Sequence, residues 1–251
     1  FQILVKESLI RQISGCTFDN IEEDFDYIIT LEQEVLMNDD VFQYDEQQTN
    51  QPAPINVRYN GQLTLRNCSF NNARSRTVDG GNVFFCGVDF TIEVYFISCQ
   101  FHNCGSSKDF AIISIQNPKS KINLYNCSFI YDSSDSSSIA LSSKCMSAYF
   151  DECQFNNTRG ITISRTGITD PSEFAVTSSV FDSCGSDTMN YLNLALGQPS
   201  LITFENNVIS NIVRNEGQKF TLYMTADRNI QELQLTNVSF INNSCCSLFG
   251  G

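Results

Sequence analysis

The stretch NCSFNN at Asn67–Asn72 returns as NCSFIY at Asn126, ECQFNN at Glu152 and NVSFIN at Asn237. Taken singly, each copy reads as a glycosylation signal, a metal or redox cysteine, or one rung of a repeating fold. Recurrence in phase decides among them, because a chain built on a fixed period must stack equivalent units. Aligned on the residue at the phenylalanine position, the pattern has anchors at Phe18, Phe70, Phe101, Phe129, Phe155, Phe181, Ile209 and Phe240. The spacings are 52, 31, 28, 26, 26, 28 and 31 residues. The first is twice 26 and predicts one degenerate turn inside it, near VFQY at Val41.

Hydrophobic phase identifies the unit. Apolar pairs stand seven and five residues before the anchor, as in Leu63 and Leu65, Val94 and Phe96, or Ile122 and Leu124. Their period of two is that of a strand with one buried face. The positions two before the anchor and at the anchor also keep period two, but the parity between the groups slips by one. A strand changes parity only at a bend or bulge. The residues three before the anchor (Gly15, Asn67, Ser98, Asn126, Asn206, Asn237) suit such a corner. A further short strand follows after a variable loop, as in GNVFFC or KFTLYM. Three short strands per period, stacked so that like positions coincide, make an all-β chain: a right-handed parallel β-helix of about nine turns of 26–31 residues. An antiparallel sandwich also offers short strands at close spacing, but it gives no reason for like residues to recur in phase.

Two columns of core residues follow. Phe18, Phe70, Phe101, Phe129, Phe155, Phe181 and Phe240 are expected to stack inside the solenoid. Cys16, Cys68, Cys99, Cys127 and Cys153 stand two before their anchors and read as small buried hydrophobes. Cys86, Cys104, Cys145, Cys184, Cys245 and Cys246 lie off that column and are the candidates for disulfides. Asparagines also recur two after the anchor, at Asn20, Asn72, Asn103, Asn157, Asn211 and Asn242, where a second corner is expected.

Eleven cysteines and five Asn-x-Ser/Thr sequons favour the secretory pathway and an extracellular or cell-surface location. Asn156 is the first candidate for an N-linked glycan, followed by the corner residues Asn67, Asn126 and Asn237, with Asn242 last. The chain starts at Phe1 and is read as one β-helix domain over 1–251, a segment of a longer protein. No run of apolar residues approaches the length of a membrane-spanning helix. The net charge is −13, and ten acidic residues with no basic one fall between Asn20 and Pro54. That stretch, 20–54, is read as an acidic irregular turn or lateral loop, with Asp39, Asp40, Asp45 and Glu46 as weak calcium candidates. The balance of charge disfavours nucleic acid as a partner.

The repeats LTLRNCSFNN, INLYNCSFIY, AYFDECQFNN and LQLTNVSFIN resemble the Cys-x-Phe-x-Asn turns of large surface proteins of ciliates and trichomonads. They are also similar to the Phe-x-x-Asn repeats of chlamydial polymorphic outer-membrane proteins. DGGNVFF at Asp79 resembles the Gly-Gly-Ala-Ile half of that repeat, with Asn82 in place of the Ala. By these motifs, over roughly Gly15 to Asn243, the chain resembles the pectin-lyase-like superfamily of right-handed β-helices. The resemblance implies a surface, adhesive or cell-coat component.

The same superfamily contains polysaccharide lyases and hydrolases, so catalysis has to be weighed. The Asn-Thr-Asp, Asp-Asp, Gly-His-Gly and Arg-Ile-Lys set of the polygalacturonases is not reproduced; Asp39–Asp40 is the only adjacent aspartate pair. His102 is the single histidine, Arg159 and Arg165 have no acidic column beside them, and no Gly-x-Ser-x-Gly elbow occurs. Tryptophan is absent. The expectation is a non-catalytic structural or adhesive protein of a coat or fibrous assembly, without catalytic, cofactor or metal residues. It would contact other subunits, or further domains of its own chain, end to end or laterally. A glycan-binding module is the alternative, and a divergent polysaccharide lyase or hydrolase stands third.

Overall fold

A computed structural model describes residues 3–5, 12–19, 27–44, 53–73, 81–104, 111–132, 139–143, 145–158, 161–165, 172–184, 192–196, 200–211, 223–226 and 230–243. Among them every regular element is a strand, and all strand pairs are parallel. The strands form three sheets of nine. The first runs from Ile3–Val5 to Tyr223–Ala226, the second from Gln12–Ser14 to Ile230–Thr236, and the third from Thr17–Asp19 to Ser239–Ile241. Each strand pairs with its counterpart one period away, so the chain is a parallel β-solenoid with three strands per turn.

Register carries the repeat into space. Phe18, Phe42, Phe70, Phe101, Phe129, Phe155 and Phe181 are consecutive partners in the third sheet, followed by Ile209 and Phe240. Neighbouring rings lie 4.5–5.1 Å apart and within 11° of parallel, from Phe18 to Phe181. The separation is essentially the spacing of stacked strands, so the backbone ladder itself sets the ring stack. Leu63, Leu65, Val94, Phe96, Ile122 and Leu124 of the second sheet close the core from the other side.

Of the two readings of the acidic stretch, irregular turn or lateral loop, its described part is a turn of the solenoid, the degenerate one that the doubled spacing predicts, and not a lateral loop. Residues 27–44 form a complete rung, with strands Tyr27–Leu31, Leu36–Asn38 and Val41–Gln43. The 52-residue gap therefore divides at Phe42 into 42 − 18 = 24 and 70 − 42 = 28. The carboxylates obscured an inward pattern of Ile29, Leu31, Met37 and Phe42, all fully buried.

The parity slip has a uniform cause. The residue three before the anchor has positive φ in all nine rungs: Gly15, Asp39, Asn67, Ser98, Asn126, Glu152, Ser178, Asn206 and Asn237, at 49–65°. The backbone ladder passes through these left-handed residues unbroken, since Asn67 N–H donates to Ile97 O and Asn126 N–H to Asp151 O, both at 2.9 Å. A second left-handed corner follows the anchor at Asn72, Asn103, Asn157, Ser183, Asn211 and Asn242. Asn20 lies outside the described residues. Asparagine is favoured because its short amide tolerates positive φ and bonds the adjacent backbone. Asn72 and Asn157 do this directly, donating to the carbonyls of Tyr44 and Tyr131 at 3.1 and 2.9 Å.

Candidate functional site

After each left-handed residue the next side chain turns inward. At the first corner the inward slot holds Cys16, Asp40, Cys68, Cys99, Cys127, Cys153, Ser179, Asn207 and Val238. It is more than an apolar column. The thiols of Cys99, Cys127 and Cys153 donate to the carbonyls of Leu65, Phe96 and Leu124 on the preceding rung, at 3.4–3.5 Å. Asn207 Nδ2 does the same to Val176 O at 2.7 Å. In the opposite sense, slot side chains accept the slot amide below: Cys153 N–H to Ser179 Oγ at 3.0 Å, and Ser179 N–H to Asn207 Oδ1 at 2.9 Å. Small groups that both donate and accept are what the slot selects.

The off-column cysteines repeat the device. Cys104 and Cys184, each three residues after an anchor, donate to Phe70 O at 3.2 Å and Phe155 O at 3.4 Å. Asn243 Nδ2 donates to Ile209 O at 2.9 Å in the same way. This corrects the disulfide expectation for Cys86, Cys104, Cys145 and Cys184: all four are buried, and no disulfide occurs among the described residues. Cys104 and Cys184 occupy an inward column of their own, and Cys86 donates to Phe90 O at 3.5 Å. Cys245 and Cys246 lie outside the described residues.

These thiols are unsuited to nucleophilic work. The hydrogen bond to Cys127, aided by burial, pushes Cys99 up to about 12, and the bond to Cys153 does the same for Cys127. The bond to Cys99 together with burial raises Cys68 further. Burial alone carries Cys86 to about 12 and leads the rise of Cys184 to about 11. A reactive cysteine needs the opposite, an exposed thiol with lowered pKa.

The two described calcium candidates point apart. Asp39 is exposed at its corner and accepts Asn67 Nδ2 at 3.0 Å, whereas Asp40, the next residue, points into the core. Asp45 and Glu46 lie outside the described residues. No group of three or more His, Cys, Asp or Glu residues with metal-binding geometry occurs among the described ones. The sequon asparagines Asn67, Asn126 and Asn237 are exposed at corners, with Nδ2 bonded to Asp39, Ser98 and Asn206 of the preceding rung. Asn242 is bonded likewise to Asn211, and Asn156 is half-buried in the strand Gln154–Asn156.

Two surface clusters remain. His102 Nε2 lies 2.9 Å from Asp132 Oδ1, and Asn103 Nδ2 donates to Asp132 Oδ2 at 2.7 Å. The Asn103 bond, then His102, holds the Asp132 carboxyl below the usual range. On the outer face of the second sheet, Tyr95 is in register with Asn123 and Asn123 with Tyr149. Tyr125 packs on Tyr149 at 5.6 Å, and Tyr95 Oη donates to Glu93 Oε1 at 2.8 Å. Lys121 and Asp151 lie on the same face. Neither the polar slots nor this platform was read from the sequence. The signal for the slots was Ser179 and Asn207 replacing cysteine, a substitution that a purely apolar position would resist.

Comparison with known proteins finds no family model, no curated protein and no solved structure that matches this chain.

Proposed function

We propose that this chain is a non-catalytic structural or adhesive solenoid of an extracellular coat or fibrous assembly, built on the right-handed, pectin-lyase-like plan. The observation that carries this reading is the uninterrupted repetition itself: three nine-stranded parallel sheets share one column of stacked anchors from Phe18 to Phe240, a plan whose stability comes from rung-on-rung contact.

Extracellular placement and N-glycans at the exposed corner sequons rest on the asparagines and on the repeat resemblance. The described cysteines, being thiols, no longer argue for it. Light scattering and electron microscopy of the native full-length protein test the assembly. Large or filamentous particles are expected, and a monomer at all concentrations would overturn it.

A second reading is favoured by the tyrosine platform. Tyr95, Tyr125 and Tyr149, with Glu93, Lys121 and Asn123 among them, offer the aromatic faces and polar edges that bind sugars. Saturable binding on a glycan array, abolished by Tyr125→Ala with Tyr149→Ala, would establish it, and a flat response would remove it. Catalysis is not proposed: the His102–Asp132 pair supplies a single carboxylate. Release of new reducing ends from acidic polysaccharides would reverse that judgement.

A further inference from the structure

Asp40 occupies an inward slot whose other described members are uncharged. It is 0% exposed. Its Oδ1 accepts the Cys16 amide at 2.9 Å, as Asn207 Oδ1 accepts the Ser179 amide. The other atom of the Asn207 amide, Nδ2, donates to Val176 O. The thiols of Cys99, Cys127 and Cys153 donate to the equivalent carbonyls, each five residues before the anchor of the preceding rung. For Asp40 the equivalent residue is Ile13, since Phe42 pairs with Phe18 and Met37 with Ile13. Asp40 Oδ2, in the position of Nδ2, has no hydrogen-bond partner. An ionised carboxylate and a carbonyl are both pure acceptors, so the charged form would set lone pairs against lone pairs in a buried site.

We propose that Asp40 is a carboxylic acid that stays protonated above the ordinary aspartate range in the folded protein, its Oδ2–H donating to the Ile13 carbonyl, and that its ionisation is a pH switch loosening residues 12–19 from the rest of the solenoid. The groups facing it are the Cys16 amide and thiol from the rung below, the Asn38 amide and the Asp39 carboxylate of its own rung, and the Cys68 thiol from above. No basic side chain is among them. Burial, the strongest influence, lifts the Asp40 pKa and Asp39 adds to it, while the Cys16 and Asn38 amides and the Cys16 thiol oppose but do not reverse the rise.

The sign follows. With the folded value above the unfolded one of about 3.9, the unfolded chain gives up its proton first as pH rises. Stability is therefore complete in acid and falls as pH climbs toward the folded pKa, remaining lower beyond it. Residues 12–19 are held most firmly below the unfolded value and loosen as pH rises through the folded one.

Asp40→Asn in the full chain supplies permanently the donor that the acid supplies only when protonated. Asp39→Asn controls for removal of a corner charge. Amide hydrogen exchange of residues 12–19 is followed across pH, after correction for intrinsic rates. Asp40→Asn is expected to abolish the loss of protection that the wild type shows on going from acid to neutral pH. Each unit by which the pKa is raised corresponds to about tenfold in protection at neutrality. Carboxyl carbon NMR of the wild type should show Asp40 titrating above the ordinary aspartate range. Titration at or below that range overturns the proposal, and so does neutral-pH protection lower in Asp40→Asn than in wild type. Should Asp40→Asn fail to fold, the wild-type carboxyl titration decides alone.

Discussion

Replacing Phe129 by alanine removes a ring that is completely buried and sandwiched between Phe101 and Phe155, at 4.5 and 5.0 Å. Loss of a buried phenylalanine costs about 3–5 kcal/mol through lost transfer energy and the cavity left behind. Here the two aromatic contacts and the rigid strand spacing, which prevents collapse of the cavity, favour the upper half of that range. Phe240→Ala is the matched control. It deletes the same side chain from the same column, but that ring is 42% exposed and stacks on Ile209 rather than on a second phenylalanine. Its cost should be about 1–2 kcal/mol, scaled from the same burial term. Urea unfolding followed by far-ultraviolet circular dichroism measures both, with local hydrogen exchange showing whether the loss at Phe129 divides the solenoid. Equal losses for the two variants would refute the idea that ring stacking within the column, rather than general apolarity, holds the rungs.

Three further outcomes are expected. Cys127→Ser should be more stable than Cys127→Ala, because alanine removes the donor to Phe96 O and leaves a buried polar environment unsatisfied at a cost of about 1–3 kcal/mol; a urea midpoint higher for alanine would restore the reading of the column as plain hydrophobe. Asn126→Gly should be nearly neutral and Asn126→Val destabilising by about 1–2 kcal/mol or more, since φ at that corner is 51° and β-branched residues resist it; thermal midpoints of the pair decide. Cys99 and Cys127, with folded pKa values of about 12, should resist alkylation of the native protein at pH 8 and react on unfolding. Because these folded values lie above those of free thiols, their contribution to stability is whole below about pH 8.5 and declines as pH rises toward 12.

The phenylalanine column, the three-strand period and the left-handed corners were legible in the sequence because each places the same residue type at the same phase. The hidden rung at 27–44 was legible only in part: the doubled spacing placed a degenerate turn near Val41, where Phe42 is the anchor, but its other positions were not read. Its inward residues Met37, Asp40 and Phe42 stand at the columns the other rungs repeat, and only the last carries the common letter, while Glu32, Glu34 and Asp39 add charge between them. Tyr44 and Tyr131 mark another limit. Both fill the place of the second corner asparagine with a buried ring, and neither is left-handed, so the corner can be built in two ways. The direction of the thiol hydrogen bonds was invisible for a different reason. Cysteine is read equally as hydrophobe or donor until the carbonyl facing it is known. The tyrosine platform escaped because Tyr95, Tyr125 and Tyr149 fall at two different phases and meet only through the lateral stagger of neighbouring strands.

The inward slot has an orientation along the solenoid. From Cys153 to Asn207 the slot side chains bond to the rung before them, and the amides of Cys153 and Ser179 are bonded by the rung after. The two ends of a stack of such rungs are thus chemically unlike, the later one presenting an amide that awaits an acceptor. Synthesis proceeds from the earlier end. At these rungs the newest turn of a growing chain shows an unmet donor, and the next 26 to 28 residues to emerge carry the group that meets it. Such a chain can complete itself in the order in which it is made, each turn serving as the mould for its successor.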